Sequence, residues 1–411
     1  MSVPAGASFQ LSGDEFAALR SLALRRGDLL ERDGSCLLAF GTREEIGLPN
    51  GLGDDDAVSS AHQRLAELAR PGVRPIALGA LPFRPDEAGV LQLPEVSVLS
   101  RGGPARAVVL SGSPAERLEA LLREARAGGR PSQAPDSFSL CSARPHEDFL
   151  EKVAKAVAEV QSGRLDKVVL AREVRIEANR PFCQADILER LRSLHPSCLT
   201  FCLDGFVGAS PELLVARRGP EVSSHPLAGT APRSGDAEAD ARAAEALLTS
   251  GKEQAEHRAV VEAIAHALRP VTDELEVPAG PSIVSLRNLS HLGTYIRGTL
   301  AARADGTLPS ALEAVALVHP TPAVCGTPRE TALEYIEKEE ELARGRYAGP
   351  VGWLRSDGDG EFHLGIRSGA IEGPAARLCA GAGILADSEP AAELRETQLK
   401  LQAMLAAVVR P

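Results

Sequence analysis

The run ELRETQLK at 393–400 sets Glu393, Glu396 and Lys400 at i, i+3 and i+7, so two carboxylates and one ammonium share a helical face. Such oxygens suit a hard divalent cation; the same spacing also describes a solvated face with internal ion pairing. GKEQAEHRAVVEAI repeats the offset with Glu253 and Glu256, beside His257. If the two helices faced each other, their carboxylates would form an oxygen-rich site for Mg²⁺, which binds through one or two carboxylates and keeps water or substrate oxygens. Lys167 interrupts the apolar run DKVVLA. It either reaches solvent at a strand edge or lies in a cavity, where a neutral lysine could act as a general base near pH 7. Glu212, between a Ser-Pro turn and an apolar run in GASPELLV, is either a surface charge or a desolvated acid that keeps its proton. A base and an acid of this kind suit a reaction that removes a proton from water and donates one to a leaving hydroxyl. Arg367, mid-strand in LGIRSG, could grip a carboxylate with its planar fork. The small-residue pieces LAGT (227–230) and AGAG (380–383) either offer N–H groups to an anion or are plain turns.

These groups need elements to position them. Phe149, Val153, Val157 and Val160 recur at helical spacing, and Gly163 closes that helix. From Arg164 to Glu177 the chain is rich in β-branched residues, with Val168, Leu170, Val174 and Ile176 on one parity and Lys167 on the other. CLTFCL and FVGAS flank Asp204-Gly205, a dipeptide that favours a tight hairpin. Further helices are expected from about Asp236 to Leu268 and from about Glu389. Strand-like VGWLR, FHLGIRSGAIE and LCAGAGIL fill the last third, with a turn at 358–360. Before residue 126 short helical and strand-like pieces mix without a chemical constellation, and AGGRPSQAPDS at 127–137 reads as a loop or linker. The GLG at 51–53 leads into three aspartates that would repel a phosphate, so a plain loop is expected there. The pattern predicts an α+β protein with large, mostly antiparallel sheets.

Acidic residues number 56 against 45 basic ones, a net charge of −11, which argues against nucleic-acid and polybasic membrane surfaces. Aromatics make up 3% of the chain, too few for a base-stacking platform. Seven cysteines form no CxxC pair or zinc-spaced cluster, which fits free thiols in a reducing cytoplasm. The start lacks the pattern of a secretory signal, and no apolar run is long enough to span a membrane.

KVVLAR (167–172), GASPELL (208–214), HPLAGTAPR (225–233), the Glu256-His257 step, NLSHLGTYIRG (288–298), HPTPAVCGTPR (319–329), YAGPVGW (347–353), LGIRSG (364–369) and GAGILADSEPAAELRET (381–397) together resemble the chorismate-utilising enzymes, and among them the isochorismate synthases most closely. The resemblance covers about residues 145–405. Residues 1–135 would form a weakly patterned N-terminal part, intimately joined to the rest as one domain around a single deep active site. The resemblance implies Lys167 as general base and Glu212 as general acid. It implies Mg²⁺ held by Glu256 and Glu396, with Glu253 and Glu393 close behind. Substrate contacts would come from Arg367, Tyr347, Lys400, and the backbone at Gly229, Thr230, Gly381 and Gly383. His291 would face the substrate ring, with Ala323 as a wall beside it. The substrate would be chorismate and the product isochorismate, formed by water addition at C2 and loss of the C4 hydroxyl.

Within the family, the relatives that use ammonia typically lack a lysine where this chain has Lys167, so water is the expected nucleophile. Ala228 stands where an aminodeoxychorismate-forming relative often carries a lysine, which disfavours a covalent adduct. No glutamine-amidotransferase subunit is expected, and a monomer is. Salicylate synthase, which eliminates pyruvate from isochorismate in the same site, is the alternative: Ala323 leans toward release of isochorismate, and Tyr347 is compatible with both. The phrase HPTPAVCG looks most like the isochorismate synthases that feed catechol siderophores, with the menaquinone pathway as the other destination.

Overall fold

The computed structural model describes residues 6–128 and 133–409, so part of the expected linker lies outside the described residues. Its frame is a continuous antiparallel sheet that doubles back on itself at two long strands, Ser35–Leu48 and Gly89–Arg101, paired from Ser35↔Arg101 to Leu48↔Gly89. The register slips between Thr42 and Glu44, and there the two strands pass from one face of the fold to the other. On one side they continue through Asp28–Arg32, Leu199–Leu203, Phe206–Ser210, Ser368–Glu372 and Ala375–Ile384 to Lys167–Ala178. On the other they lead through Ile76–Ala80, Pro350–Arg355 and Gly360–Leu364 to Leu213–Arg218. N-terminal strands are thus hydrogen-bonded directly to catalytic-region strands on both sides, at Leu29↔Cys202 and Val351↔Ala80.

Between the two faces lies a cluster that includes Leu30, Leu37, Phe201 and Phe206 from one side and Ile76, Leu78, Val351 and Trp353 from the other. Some of the chain's few aromatics are spent here: the Phe201 and Phe206 rings sit 5.4 Å apart. Helices cover the outer surfaces through larger aliphatic cores, as expected of a chain whose apolar content is mostly Leu, Val and Ala.

The periodicity helix runs His146–Gln161, and Gly163 follows with φ +77°. The 199–210 hairpin turns on Asp204 and Gly205, both at positive φ, the geometry that a two-residue turn needs to match strand twist. The GLG at 51–53 is a 3₁₀ turn that feeds helix Asp55–Leu68, whose first turn is capped by the Asp54 carboxylate accepting from the Ala57 N–H. Two expectations are corrected. Arg367, expected mid-strand, lies in the connection between strands Gly360–Leu364 and Ser368–Glu372, where its φ of +51° breaks the strand. The helix foreseen from Asp236 to Leu268 is two helices, Ala237–Thr249 and Gly251–Leu268. Ser250 ends the first and caps the second by accepting from the Glu253 N–H, since a serine side chain competes better for a free N–H than for a place inside a helix. A small three-stranded sheet, Leu227–Pro232, Leu289–Gly293 and Ser282–Ser285, packs against these helices.

Candidate active site

The break at Ser250 has a chemical consequence: it starts a new helix whose first two turns carry Glu253 and Glu256 at the mouth of a cavity. The C-terminal helix Pro390–Val408 begins with proline in its first turn and brings Glu393, Glu396 and Lys400 to the same space. Strand Lys167–Ala178 enters with Lys167 at its head, and strand Ala375–Ile384 lies beside it with Gly381 and Gly383. Glu212 comes from the turn after Phe206–Ser210, Gly229 and Thr230 from the small sheet, and His291 from the neighbouring strand. Ala323, Tyr347 and Arg367 stand on the connections between elements. All fifteen residues named from the sequence as site candidates line this one cavity, of ≈ 120 Å³. His257 does not: its Nε2 meets the Thr294 hydroxyl at 2.7 Å and the ring is buried in packing.

Lys167 is 5% exposed, so the cavity alternative holds and the solvent alternative does not. Its Nζ lies 2.6 Å from Glu256 Oε1. Room for it comes from Gly383, where a Cβ would stand 2.7 Å from Lys167 Cε. Glu212 is 4% exposed, and burial pushes its carboxyl up to about 7, against the pull of the Leu227 N–H and of Arg367, Lys167 and Lys400. It therefore holds a proton close to neutral pH. Arg367 has φ +51°, a left-handed backbone that costs a residue with a side chain about 1–2 kcal/mol. The conformation is fixed by the Ala209 N–H donating to its carbonyl at 3.0 Å. Among the described residues no side chain or carbonyl hydrogen-bonds its guanidinium, which stands in the cavity as an unpaired cation next to the Tyr347 phenol and Glu396.

His291 donates from Nδ1 to the Gly229 carbonyl at 2.8 Å; a carbonyl can only accept, so Nδ1 carries the proton and Nε2 is a bare acceptor. Nε2 is buried with no partner among the described residues, and burial pushes the ring down to about 3, which keeps it neutral. Tyr347 is buried and its phenol is pushed up by that burial, so it too stays neutral. Lys400 donates to the Gly381 carbonyl at 2.9 Å and lies 2.6 Å from Glu396. Burial would raise the Glu396 carboxyl, but Lys400 outweighs it and holds the group below its ordinary value. Glu253 accepts from the Thr230 N–H at 3.2 Å; Gly229, at φ +71°, allows that approach, since a Cβ there would lie 2.8 Å from the carboxylate. Burial and then the neighbouring Glu256 push Glu253 up, and burial and Glu396 do the same to Glu393.

The four glutamates give an all-oxygen, anionic donor set of the kind a hard dication takes, and the ionisation of two of them is resisted by burial first and by a neighbouring carboxylate after it. Among the described residues no three His, Cys, Asp or Glu are drawn together as a ready-made cage, because Glu256 is turned to Lys167 and Glu396 to Lys400. That fits a cation that relies on two carboxylates and on substrate oxygens.

Two charged cavity residues were not foreseen. Lys252 stands at the mouth, paired with Asp387 at 3.0 Å. Arg344 forms part of the wall, held in a buried pair with Glu340. Neither differs in local sequence from the many other charged residues of a chain that is 25% charged.

A neutral-pH carboxylic acid, an enclosed lysine and an unpaired guanidinium in one oxygen-rich pocket define an enzyme that handles a small carboxylate and moves protons at it. Residues 68–409 match the family model described as chorismate binding enzyme. The chain is 36% identical over 388 residues to the isochorismate synthase DhbC of Bacillus subtilis, covering 90% of this chain and 91% of that one. It is 43% identical over 294 residues to the salicylate biosynthesis isochorismate synthase of Pseudomonas aeruginosa, covering 69% of this chain and 60% of that one. The structure of a putative 2,3-dihydroxybenzoate-specific isochorismate synthase, DhbC from Bacillus anthracis, superimposes with a TM-score of 0.82 at 32% identity over 96% of this chain and 98% of that one. The chain belongs to the chorismate-binding enzymes, and within them to the isochorismate synthases.

Proposed function

We propose that the protein isomerises chorismate to isochorismate with Lys167 as general base, Glu212 as general acid and Mg²⁺ as cofactor. The observation that carries this assignment of roles is the presence together, in one cavity, of the buried Lys167 side chain and a carboxylic acid that keeps its proton up to about pH 7. The unpaired guanidinium of Arg367, with Lys400 and the Tyr347 hydroxyl, binds the substrate carboxylates. His291 Nε2 accepts from a ring hydroxyl. Lys167, as the free amine, takes a proton from water as the oxygen bonds to C2. The ring double bonds shift to C1=C6 and C4=C5 and the C4–O bond breaks. Glu212 gives its proton to the departing hydroxide, which leaves as water. Return of a proton from the lysinium to the glutamate, through solvent, resets the site, so the net change is an isomerisation. When bound through Glu256 and Glu396, with Glu253 and Glu393 behind them, Mg²⁺ would supply the positive charge that reconciles a substrate carboxylate with the glutamates.

Incubation of the purified protein with chorismate and Mg²⁺, followed by chromatography, tests the reading. Isochorismate without pyruvate is expected; salicylate with an equal amount of pyruvate would move the assignment to salicylate synthase. The likeness to the two DhbC proteins supports a product destined for 2,3-dihydroxybenzoate and a catechol siderophore. Deletion of the gene should then abolish catechol secretion under iron limitation. Seven free cysteines suit the cytoplasm, and the chain is proposed to act there as a monomer without an amidotransferase subunit.

A further inference from the structure

One edge of strand Lys167–Ala178 is paired along its length by Ala375–Ile384. The opposite edge is paired by backbone toward its two ends: by Gly326–Thr327 at Val168 and Lys167, with the Val169 N–H donating to the Cys325 carbonyl, and by Phe138–Ser142 from Val174 to Ala178, with the Ala143 N–H donating to the Glu173 carbonyl. In the gap between them two side chains take the place of a strand. The Glu340 carboxylate accepts from the Ala171 N–H at 2.7 Å, and the Arg344 guanidinium donates to the Val169 carbonyl at 2.7 Å. The pair is closed by Arg344 Nε donating to Glu340 Oε1 at 2.7 Å, and its side chains are 3% and 1% exposed. Arg344 has a further grip: it donates to the Val324 carbonyl at 2.8 Å, next to the Ala323 wall. Its own carbonyl accepts from the Tyr347 N–H at 3.0 Å, in the turn that delivers that phenol to the cavity. The guanidinium is stacked on Phe83, 4.2 Å from the ring centre.

One ion pair therefore ties together the strand that carries Lys167, the segment that carries Ala323 and the turn that carries Tyr347. A buried ion pair is a poor device for stability alone, since apolar residues of similar size often do as well. Its geometric content is different: a planar fork with fixed donor directions sets the positions of three backbone segments at once. We infer that Glu340 and Arg344 are positioning residues for the reaction, holding the Lys167 strand in register with the opposite wall of the cavity. Neither residue hydrogen-bonds Arg367, Lys400 or the four cavity glutamates, and of the substrate-binding groups they reach only the turn of Tyr347, so their effect falls mainly on the chemical step. This inference rests on Lys167 being the base.

The experiment compares Arg344→Lys and the double variant Glu340→Leu/Arg344→Met with the parent enzyme and with Lys167→Met. Arg344→Lys keeps the charge and loses the fork; the double variant removes both charges and leaves no unpaired ion. Expected for both is a kcat per folded molecule lowered by about 10- to 100-fold, with KM for chorismate within about threefold, because small misplacement of a reacting group costs rate more than affinity. Folded fraction is measured by near-ultraviolet circular dichroism and the cooperativity of thermal unfolding. Three results overturn the inference: kcat per folded molecule within twofold of the parent, a rise in KM at unchanged kcat, or failure of both variants to fold, which would make the pair a stability element. Lys167→Met separates the two levels. If it retains turnover, the base assignment fails; if it is inactive while the Arg344 variants are not, only the positioning role fails.

Discussion

Glu212→Gln isolates the general acid. Glutamine has nearly the same shape, and its carbonyl oxygen can still accept from the Leu227 N–H, 3.4 Å from Glu212 Oε1, so the fold and the cavity should persist. What is lost is a transferable proton. General acid catalysis contributes about 10²- to 10⁴-fold, so kcat should fall by that factor, about 3–5 kcal/mol of barrier, with KM little changed. The pH profile gives a second, independent reading. Burial sets the Glu212 carboxyl at about 7, and the competent form is the protonated one. The acid's contribution to the rate is therefore present below that pH and lost as pH rises through it. One unit above, roughly a tenth of the acid remains protonated and kcat/KM should stand at about a tenth of its plateau. Steady-state isochorismate formation between pH 5.5 and 9, with chromatographic detection, measures both quantities. In Glu212→Gln the basic limb near pH 7 should vanish from the residual activity. A variant within threefold of the parent, or one that keeps the same basic limb, would show that another group donates the proton.

Lys167→Ala should lower kcat by at least about 10³-fold in a protein that still unfolds cooperatively; retained turnover would implicate another lone pair of the cavity, that of His291 or of a glutamate. Glu396→Gln should raise the Mg²⁺ concentration for half-maximal activity by about tenfold or more, and calorimetric titration with Mg²⁺ should show the same loss without substrate. Gly383→Ala would push a methyl to 2.7 Å from Lys167 Cε and should cost about tenfold in kcat with little change in melting temperature; unchanged kcat would mean that the Lys167 position is not critical.

The parts legible in the sequence are those whose signal is local. Strand parity put Val168 and Lys167 on opposite faces, and the Asp204-Gly205 turn follows from two residues that tolerate positive φ. Lys167, Glu212, Arg367 and the glutamates at 253, 256, 393 and 396 stood out by residue type and spacing, whereas Tyr347, His291 and Ala323 came only from the resemblance of whole phrases. Less visible was anything that depends on partners distant in the chain. Lys167 and Glu256, 89 positions apart, are each ordinary until the fold encloses the lysine and sets its Nζ 2.6 Å from the carboxylate. Arg344 could not be told from other arginines, because its weight comes from the backbone carbonyls it reaches. The break at Ser250 was missed because helical periodicity continues across it, while the serine's preference for a cap decides the local conformation.

Net charge shows the same division between bulk and local properties. A chain at −11 repels anions at long range, yet the expected substrate is a dianion. Inside the cavity the charges nearly cancel. Lys400 offsets Glu396, Lys252 at the mouth is answered by Asp387, Arg344 by Glu340, Glu212 keeps its proton near neutral pH, and Glu256 has the Lys167 ammonium only until that lysine gives up its proton to serve as base. Arg367 is left as a free cation, opposed by Glu253 and Glu393, whose ionisation the surroundings already resist. One guanidinium cannot by itself compensate two substrate carboxylates and two glutamates in a place withdrawn from water, where unscreened charge is costly. A dication between the glutamates and the substrate would restore the balance, and it would be held more firmly when the substrate completes its coordination. The local charge count thus favours a Mg²⁺ site that is weak in the free enzyme and strengthened by the dianion.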